Sequence, residues 1–232
     1  MQRIVEHTDD GSATLYVPEL NEHYHSVKGA QTESQHIFID MGLKYVETEH
    51  PRVLEIGFGT GLNAFLSLLT ANETGRKVHY TGLELYPLEW ETIAELKYSD
   101  DPLFERIHTA EWEVEAEISP NFTLLKKKTD FTKIHLADTR MEAKIDVVYF
   151  DAFAPEKQPE MWTQELFDYL YTIMNPGGAL TTYCAKGVIR RMLQAAGFVV
   201  ERLPGPPGGK REILRATRQG DAARLFKSRH VI

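Results

Sequence analysis

The chain has 232 residues, 42% of them hydrophobic, and a formal net charge of -8. That is enough for one α/β core with a small appendage and too little for two full catalytic domains. The single cysteine, Cys184, excludes an internal disulfide, and no membrane-length apolar run or signal-peptide pattern is present, so a soluble cytoplasmic protein without a membrane partner is the expectation.

Residues 1–46 hold two short alternating stretches, Ala13–Val17 and His36–Ile39, around a polar, aromatic segment. This predicts a hairpin or paired strands covering a main domain over residues 47–232. His23 and His25 have no further Cys or His at ligand spacing, so no metal site is expected.

From Pro51 onward, strands and helices alternate as in a parallel sheet. The spacing predicts a strand at Val53–Ile56, a helix from Leu62 to Asn72, a strand at Val78–Leu83, and a helix opened by Pro87. Another helix is predicted over Leu103–Ile118, then two short strands, Phe122–Leu125 and Ile134–Leu136, with Lys126-Lys127-Lys128 as a charged turn between them. The clearest strand, Asp146–Phe150, precedes a helix over Met161–Met174, a strand Ala179–Cys184 and a helix Gly187–Ala196. The last two strands, Phe198–Leu203 and Glu212–Thr217, are too close for a crossover helix and predict an antiparallel pair. The expected fold is therefore a Rossmann-like, mostly parallel seven-stranded sheet with one antiparallel strand near its end.

The first strand runs into Gly57-Phe58-Gly59-Thr60-Gly61-Leu62-Asn63. Glycines let a backbone approach a ligand, and the helix start offers unpaired N–H groups. The third glycine comes one residue too early for the dinucleotide fingerprint, and Glu55 precedes the turn. A carboxylate there would repel a pyrophosphate and attract a cation, which suits S-adenosylmethionine, with its sulfonium and ammonium, better than NAD.

Ligands of such sheets sit at the carboxyl ends of the strands. The polar groups collected there are Glu55 with the glycine turn, Glu84 as an acceptor for two ribose hydroxyls, Asp138 and Thr139 toward an adenine amino group, and Asp151. Each alone also reads as a turn former or cap; four together define a cofactor site. Gly57, Phe58, Gly59, Thr60, Gly61 and Asn63 complete its expected lining, and Cys184 reads as core. The chain is thus read as a class I S-adenosylmethionine-dependent methyltransferase.

The charge distribution adds a second theme. Residues 184–232 carry 11 Lys and Arg against 3 Asp and Glu, a net of +8, while residues 1–183 carry a net of -16. A phosphate-binding face and an ordinary solvated surface fit this equally well.

The segments Gly57–Asn63, Asp151-Ala152-Phe153-Ala154-Pro155 through Met161-Trp162-Thr163, Pro176-Gly177-Gly178, Arg190-Arg191 through Ala196-Gly197-Phe198, and Gly209-Lys210-Arg211-Glu212 resemble the MnmC-type methyltransferases of bacterial transfer-RNA wobble-uridine modification. The resemblance covers nearly the whole chain and is less specific over residues 1–50. It implies methylation of the aminomethyl nitrogen on carbon 5 of (2-thio)uridine 34 in transfer RNA. Bifunctional relatives also carry a flavin-dependent oxidase that prepares this amine; the chain has no second glycine fingerprint for one, so the expectation is a stand-alone methyltransferase supplied by a separate oxidase or precursor enzyme.

On this reading Asp151 positions the acceptor amine and takes its proton, Phe153 and Trp162 stack on an extruded uracil, and Lys186, Arg190, Arg191, Lys210 and Arg211 contact phosphates. The alternatives are a small-molecule amine methyltransferase, an aminopropyl transferase, or an inactive cofactor- and RNA-binding module.

Overall fold

A computed structural model describes residues 3–7, 13–24, 29–133 and 144–220. The predicted strand Ile134–Leu136 and the candidates Asp138 and Thr139 lie outside the described residues, as does His25. No helix among the described residues is long and apolar enough to cross a membrane.

The chain opens with three short antiparallel strands, β1 (Ile4–His7), β2 (Ala13–Val17) and β3 (Glu22–His23). The expected second strand at His36–Ile39 is instead helical: α1 (Ala30–Ser34) continues into a wide π-type turn over Gln35–Asp40. Ala30, Glu33, Ser34, Ile37 and Phe38 are all buried. Their 3–4 spacing is a helix stripe, masked in the sequence by the polar residues within it and by two isoleucines that favour a period of two.

The main domain follows with β4 (Arg52–Ile56), α2 (Leu62–Thr74), β5 (Val78–Glu84), α3 (Trp90–Ala94), α4 (Pro102–Thr109), β6 (Glu115–Ser119), β7 (Phe122–Lys128), β8 (Ile145–Phe150), α5 (Gln164–Ile173), β9 (Met174–Thr182), α6 (Gly187–Ala196), β10 (Val199–Pro204) and β11 (Glu212–Thr217). Among the described residues the sheet has eight strands in the order β10-β11-β9-β8-β4-β5-β7-β6. β7, β5, β4, β8 and β9 run parallel, and β11 enters antiparallel between β9 and β10. This is the expected arrangement with one strand added: β6 pairs antiparallel with β7 at the far edge.

β6 replaces the second half of the helix predicted over Leu103–Ile118. The helix begins as expected, with the Asp101 side chain accepting from Leu103 N at 2.9 Å and Pro102 in its first turn, but stops at Thr109. Beyond it Ala116 and Ile118 alternate with Glu115 and Glu117, a two-residue period that the preceding helical period concealed.

The lysine triplet is also not a turn. Lys126 to Lys128 end β7, and Lys126 is only 2% exposed. Its ammonium donates to the carbonyl of His108 at 2.6 Å, in the last turn of α4, and lies 4.9 Å from the centre of the Trp112 ring. A cation at a helix C-terminus is electrostatically favoured; burial nevertheless lowers the Lys126 pKa to about 8.

The sheet separates two apolar layers. One, with Phe38, Phe65, Leu68, Tyr80 and Phe104, lies under α2, α4 and the N-terminal segment; the other, with Phe150, Phe167, Leu170 and Leu193, lies under α5 and α6. Asp146 ties the start of three strands together, accepting from Arg52 N at 2.9 Å and Asn175 Nδ2 at 2.7 Å. The carboxyl ends of β4, β5 and β8 are thereby held in register around one cleft.

Candidate active site

That cleft is a cavity of about 710 Å³ at the strand ends, roofed by the N-terminal segment and closed at one side by Lys210. The turn after β4 is fixed by Gly57 N and Phe58 N, which both donate to Leu83 O, at 3.1 and 2.9 Å. Gly57 has a φ of 89°, and a Cβ there would stand 2.6 Å from the carbonyl oxygen of Asp151. Only glycine lets the two strand ends meet this closely.

Glu84 ends β5 with both carboxylate oxygens held by backbone: Gly59 N donates to Oε2 at 3.0 Å and Tyr86 N to Oε1 at 2.9 Å. Each oxygen keeps a lone pair for a further donor, the requirement for gripping a ribose diol. At the end of β8, Asp151 N donates to Ile56 O at 3.0 Å, and Asn63 Nδ2 donates to Asp151 Oδ2 at 2.9 Å and to Glu55 Oε1 at 2.8 Å. Asn63, from the first turn of α2, therefore bridges two acids.

Those acids are not simple anions. Burial pushes the Glu55 pKa well above the carboxylate range, and its side chain lies beneath the cavity instead of lining it. The expected cation-attracting carboxylate beside the turn is thus a buried side chain that anchors Asn63. Asp151 does line the cavity, and its pKa is raised to about 7, first by desolvation and then by the charge of Glu33, with the Asn63 hydrogen bond and Lys210 opposing.

Gly57, Phe58, Gly59, Thr60, Asn63, Glu84, Asp151, Phe153 and Lys210 line the cavity together. Gly61 does not: it starts α2 with a φ of 69° and faces the His108 ring, where a Cβ would clash at 2.5 Å. Trp162 is buried, packs edge-on against Phe150, and donates from its indole to Phe153 O at 2.8 Å. It supports the loop that presents Phe153 and does not itself line the cavity. Lys186 is paired with Glu156, Arg190 and Arg191 lie on α6, and Arg211 is exposed; all four are outside the cavity.

Three cavity residues had no signal in the sequence reading. Tyr24 packs edge-on against Phe153 with ring centres 5.3 Å apart and sits over Gly59. Arg3 donates to the Tyr24 hydroxyl at 3.3 Å and to Tyr86 O at 3.3 Å, joining the roof to the rim. Glu33 reaches the cavity from α1.

The residues fit S-adenosylmethionine. Glu84 offers lone pairs, Ile56, Leu83 and Phe131 offer apolar walls, and Asn63 Oδ1 is buried without a hydrogen-bond partner among the described residues, an acceptor suited to a cationic group. Sheet order, glycine turn and strand-end acids together define a class I S-adenosylmethionine-dependent methyltransferase, and residues 105–219 match the S-adenosyl-L-methionine-dependent methyltransferase family Methyltransf_30.

Within that class the chain is similar to MnmC proteins. It is 31% identical over 83% of its length to the tRNA 5-methylaminomethyl-2-thiouridine biosynthesis bifunctional protein MnmC of Pseudomonas fluorescens, and 28% identical over 96% of its length to that of Pseudomonas entomophila. It spans 31% and 37% of those proteins, about a third of each. The crystal structure of MNMC2 from Aquifex aeolicus superposes with a TM-score of 0.74 at 25% identity, over 97% of this chain and 75% of that one.

Proposed function

We propose that this protein methylates the 5-aminomethyl nitrogen of wobble (2-thio)uridine 34 in transfer RNA, acting in the cytoplasm on an amine made by a separate oxidase or other precursor enzyme. The observation that carries the reading is Asp151: a carboxylate at the carboxyl end of β8, lining the cavity, fixed by Asn63 and titrating near neutrality. The names of the MnmC relatives supply the substrate class.

S-adenosylmethionine, when bound, supplies an electrophilic methyl group. Glu84 and the turn Gly57–Thr60 would hold it, with Asn63 beneath. The amine acceptor arrives largely as an ammonium and reacts only as the free base. Once water has taken the ammonium's first proton, Asp151 accepts a hydrogen bond from the acceptor nitrogen, which aligns the lone pair, and takes up the second proton as the new N–C bond forms and the methyl's bond to sulfur breaks. A carboxylate titrating near 7 can accept that proton and return it to water without a stronger base. Phe153 presents an aromatic face to the entering base, and the Tyr24 roof excludes water. Residues 1–46 act as a cover for a methyltransferase domain over residues 47–232. Asp138 and Thr139 stay candidates for the adenine end, and Lys186, Arg190, Arg191 and Arg211 for phosphate contacts on the basic last quarter.

Nucleoside analysis of transfer RNA from cells with and without this chain tests the reading. Loss of the protein is expected to accumulate 5-aminomethyl uridine at the expense of its methylated product. An unchanged nucleoside profile would contradict it.

A further inference from the structure

At the acceptor side of the cavity the protein already holds one primary ammonium, its own. The Lys210 Nζ lies 3.2 Å from Glu33 Oε1 and 3.9 Å from the centre of the Tyr183 ring. The Glu33 side chain is only 10% exposed, and the Tyr183 ring is fixed by its hydroxyl donating to Ala152 O at 2.8 Å. Asp151 feels both charges. A carboxylate and an aromatic face thus converge on one CH2–NH3+ group.

Lys210 is the expendable member of this arrangement. It is exposed, and it belongs to the loop Gly205-Pro206-Pro207-Gly208-Gly209-Lys210 between β10 and β11, where three glycines allow rearrangement. Glu33 and Tyr183, by contrast, belong to packed parts of the fold. The end of a lysine side chain and an aminomethyl substituent are the same chemical group, a primary ammonium on a methylene.

We infer that Glu33 and the face of Tyr183 form the binding place for the acceptor's ammonium, and that Lys210 occupies it as an internal stand-in until the substrate displaces it. This rests on the amine acceptor proposed above. It assigns successive tasks to two carboxylates: Glu33 recognises the ammonium on arrival, and Asp151 serves the nitrogen during transfer. It also gives the Lys210 loop a consequence, because a displaced Lys210 becomes available to the RNA backbone.

The test is a binding cycle with two probes, transfer RNA bearing 5-aminomethyl uridine and the same RNA with unmodified uridine. Wild-type protein is expected to prefer the amine-bearing RNA by about 10-fold, the size of a charge-assisted contact. In Glu33→Gln the preference is expected to fall below about 2-fold, and Glu33→Asp to restore part of it. Lys210→Met, at an exposed position and therefore safe for folding, is expected to raise the preference by about 3-fold because the stand-in is gone.

A preference that survives Glu33→Gln overturns the inference, as does one that Lys210→Met leaves unchanged or lowers. Wild-type protein that methylates the amine yet shows no preference also overturns the inference and leaves the proposed function standing. Absence of methylation overturns both.

Discussion

Glu84 and Asp151 are both acids at strand ends lining the same cavity, yet the structure treats them in opposite ways. Glu84 receives two backbone N–H groups, one on each oxygen, which fix its orientation and leave lone pairs for further donors. Asp151 is partly buried at the cavity wall, and desolvation and the charge of Glu33 lift its pKa to about 7. One acid is held by the backbone, in the proposed role of binding; the other titrates near neutrality, in the proposed role of exchanging a proton. Residue type alone does not distinguish these tasks; local solvation and hydrogen bonding do.

Removing each acid in turn separates the two roles. Asp151→Ala is expected to reduce methyl transfer by roughly 100-fold or more while S-adenosylmethionine affinity stays within a few-fold, measured by single-turnover kinetics and calorimetry. Glu84→Ala is expected to do the reverse in emphasis, weakening cofactor affinity by roughly 10- to 100-fold, the range of a lost hydrogen bond to a charged group. If both variants lose affinity equally, the division of tasks is wrong.

The shared support comes next. Asn63→Ala removes the donor between Glu55 and Asp151 and is expected to cost about 1–3 kcal/mol in denaturant unfolding, since two buried acids each lose a partner.

The pH dependence sharpens the same point. The folded protein holds the Asp151 proton more tightly than the unfolded chain does, so from pH ~4, the unfolded value, up to about 7 the native state binds more protons. The stability contributed by this group is present below that window and declines as pH rises through it, while methyl transfer rises toward the ionised form. Unfolding curves across pH should flatten in Asp151→Asn, and the activity limb near 7 should disappear.

The smallest effect is expected away from the cavity. Lys126→Met exchanges the helix-end contact for relief from burying a charge, so stability is expected to change by about 1 kcal/mol or less and methyl transfer to stay unchanged.

The sequence displayed Glu84 and Asp151 because both follow clear β-periods, and the sheet rule then places strand ends at one edge. It hid their difference. The pKa of Asp151 depends on Asn63, eighty-eight positions away, and on Glu33, which arrives from a segment whose Ile37-Phe38-Ile39 run imitates a strand. Glu55 was legible as an acid before a glycine turn, yet only the packing of β4 between β5 and β8 shows that it faces inward. Lys126 looks like a turn residue in sequence because lysine triplets are usually solvated; its burial depends on α4 ending where the Nζ can reach the His108 carbonyl. In each case the missing information was a long-range contact, which no local period encodes.

Methyl transfer to an amine on RNA, the activity proposed for this cavity, is read out by incubating the purified protein with labelled S-adenosylmethionine and transfer RNA bearing 5-aminomethyl uridine, then separating the nucleosides. Label is expected in 5-methylaminomethyl uridine alone, with none when the RNA lacks the amine. Label on another nucleoside, or none with the amine present and the cofactor bound, would contradict it.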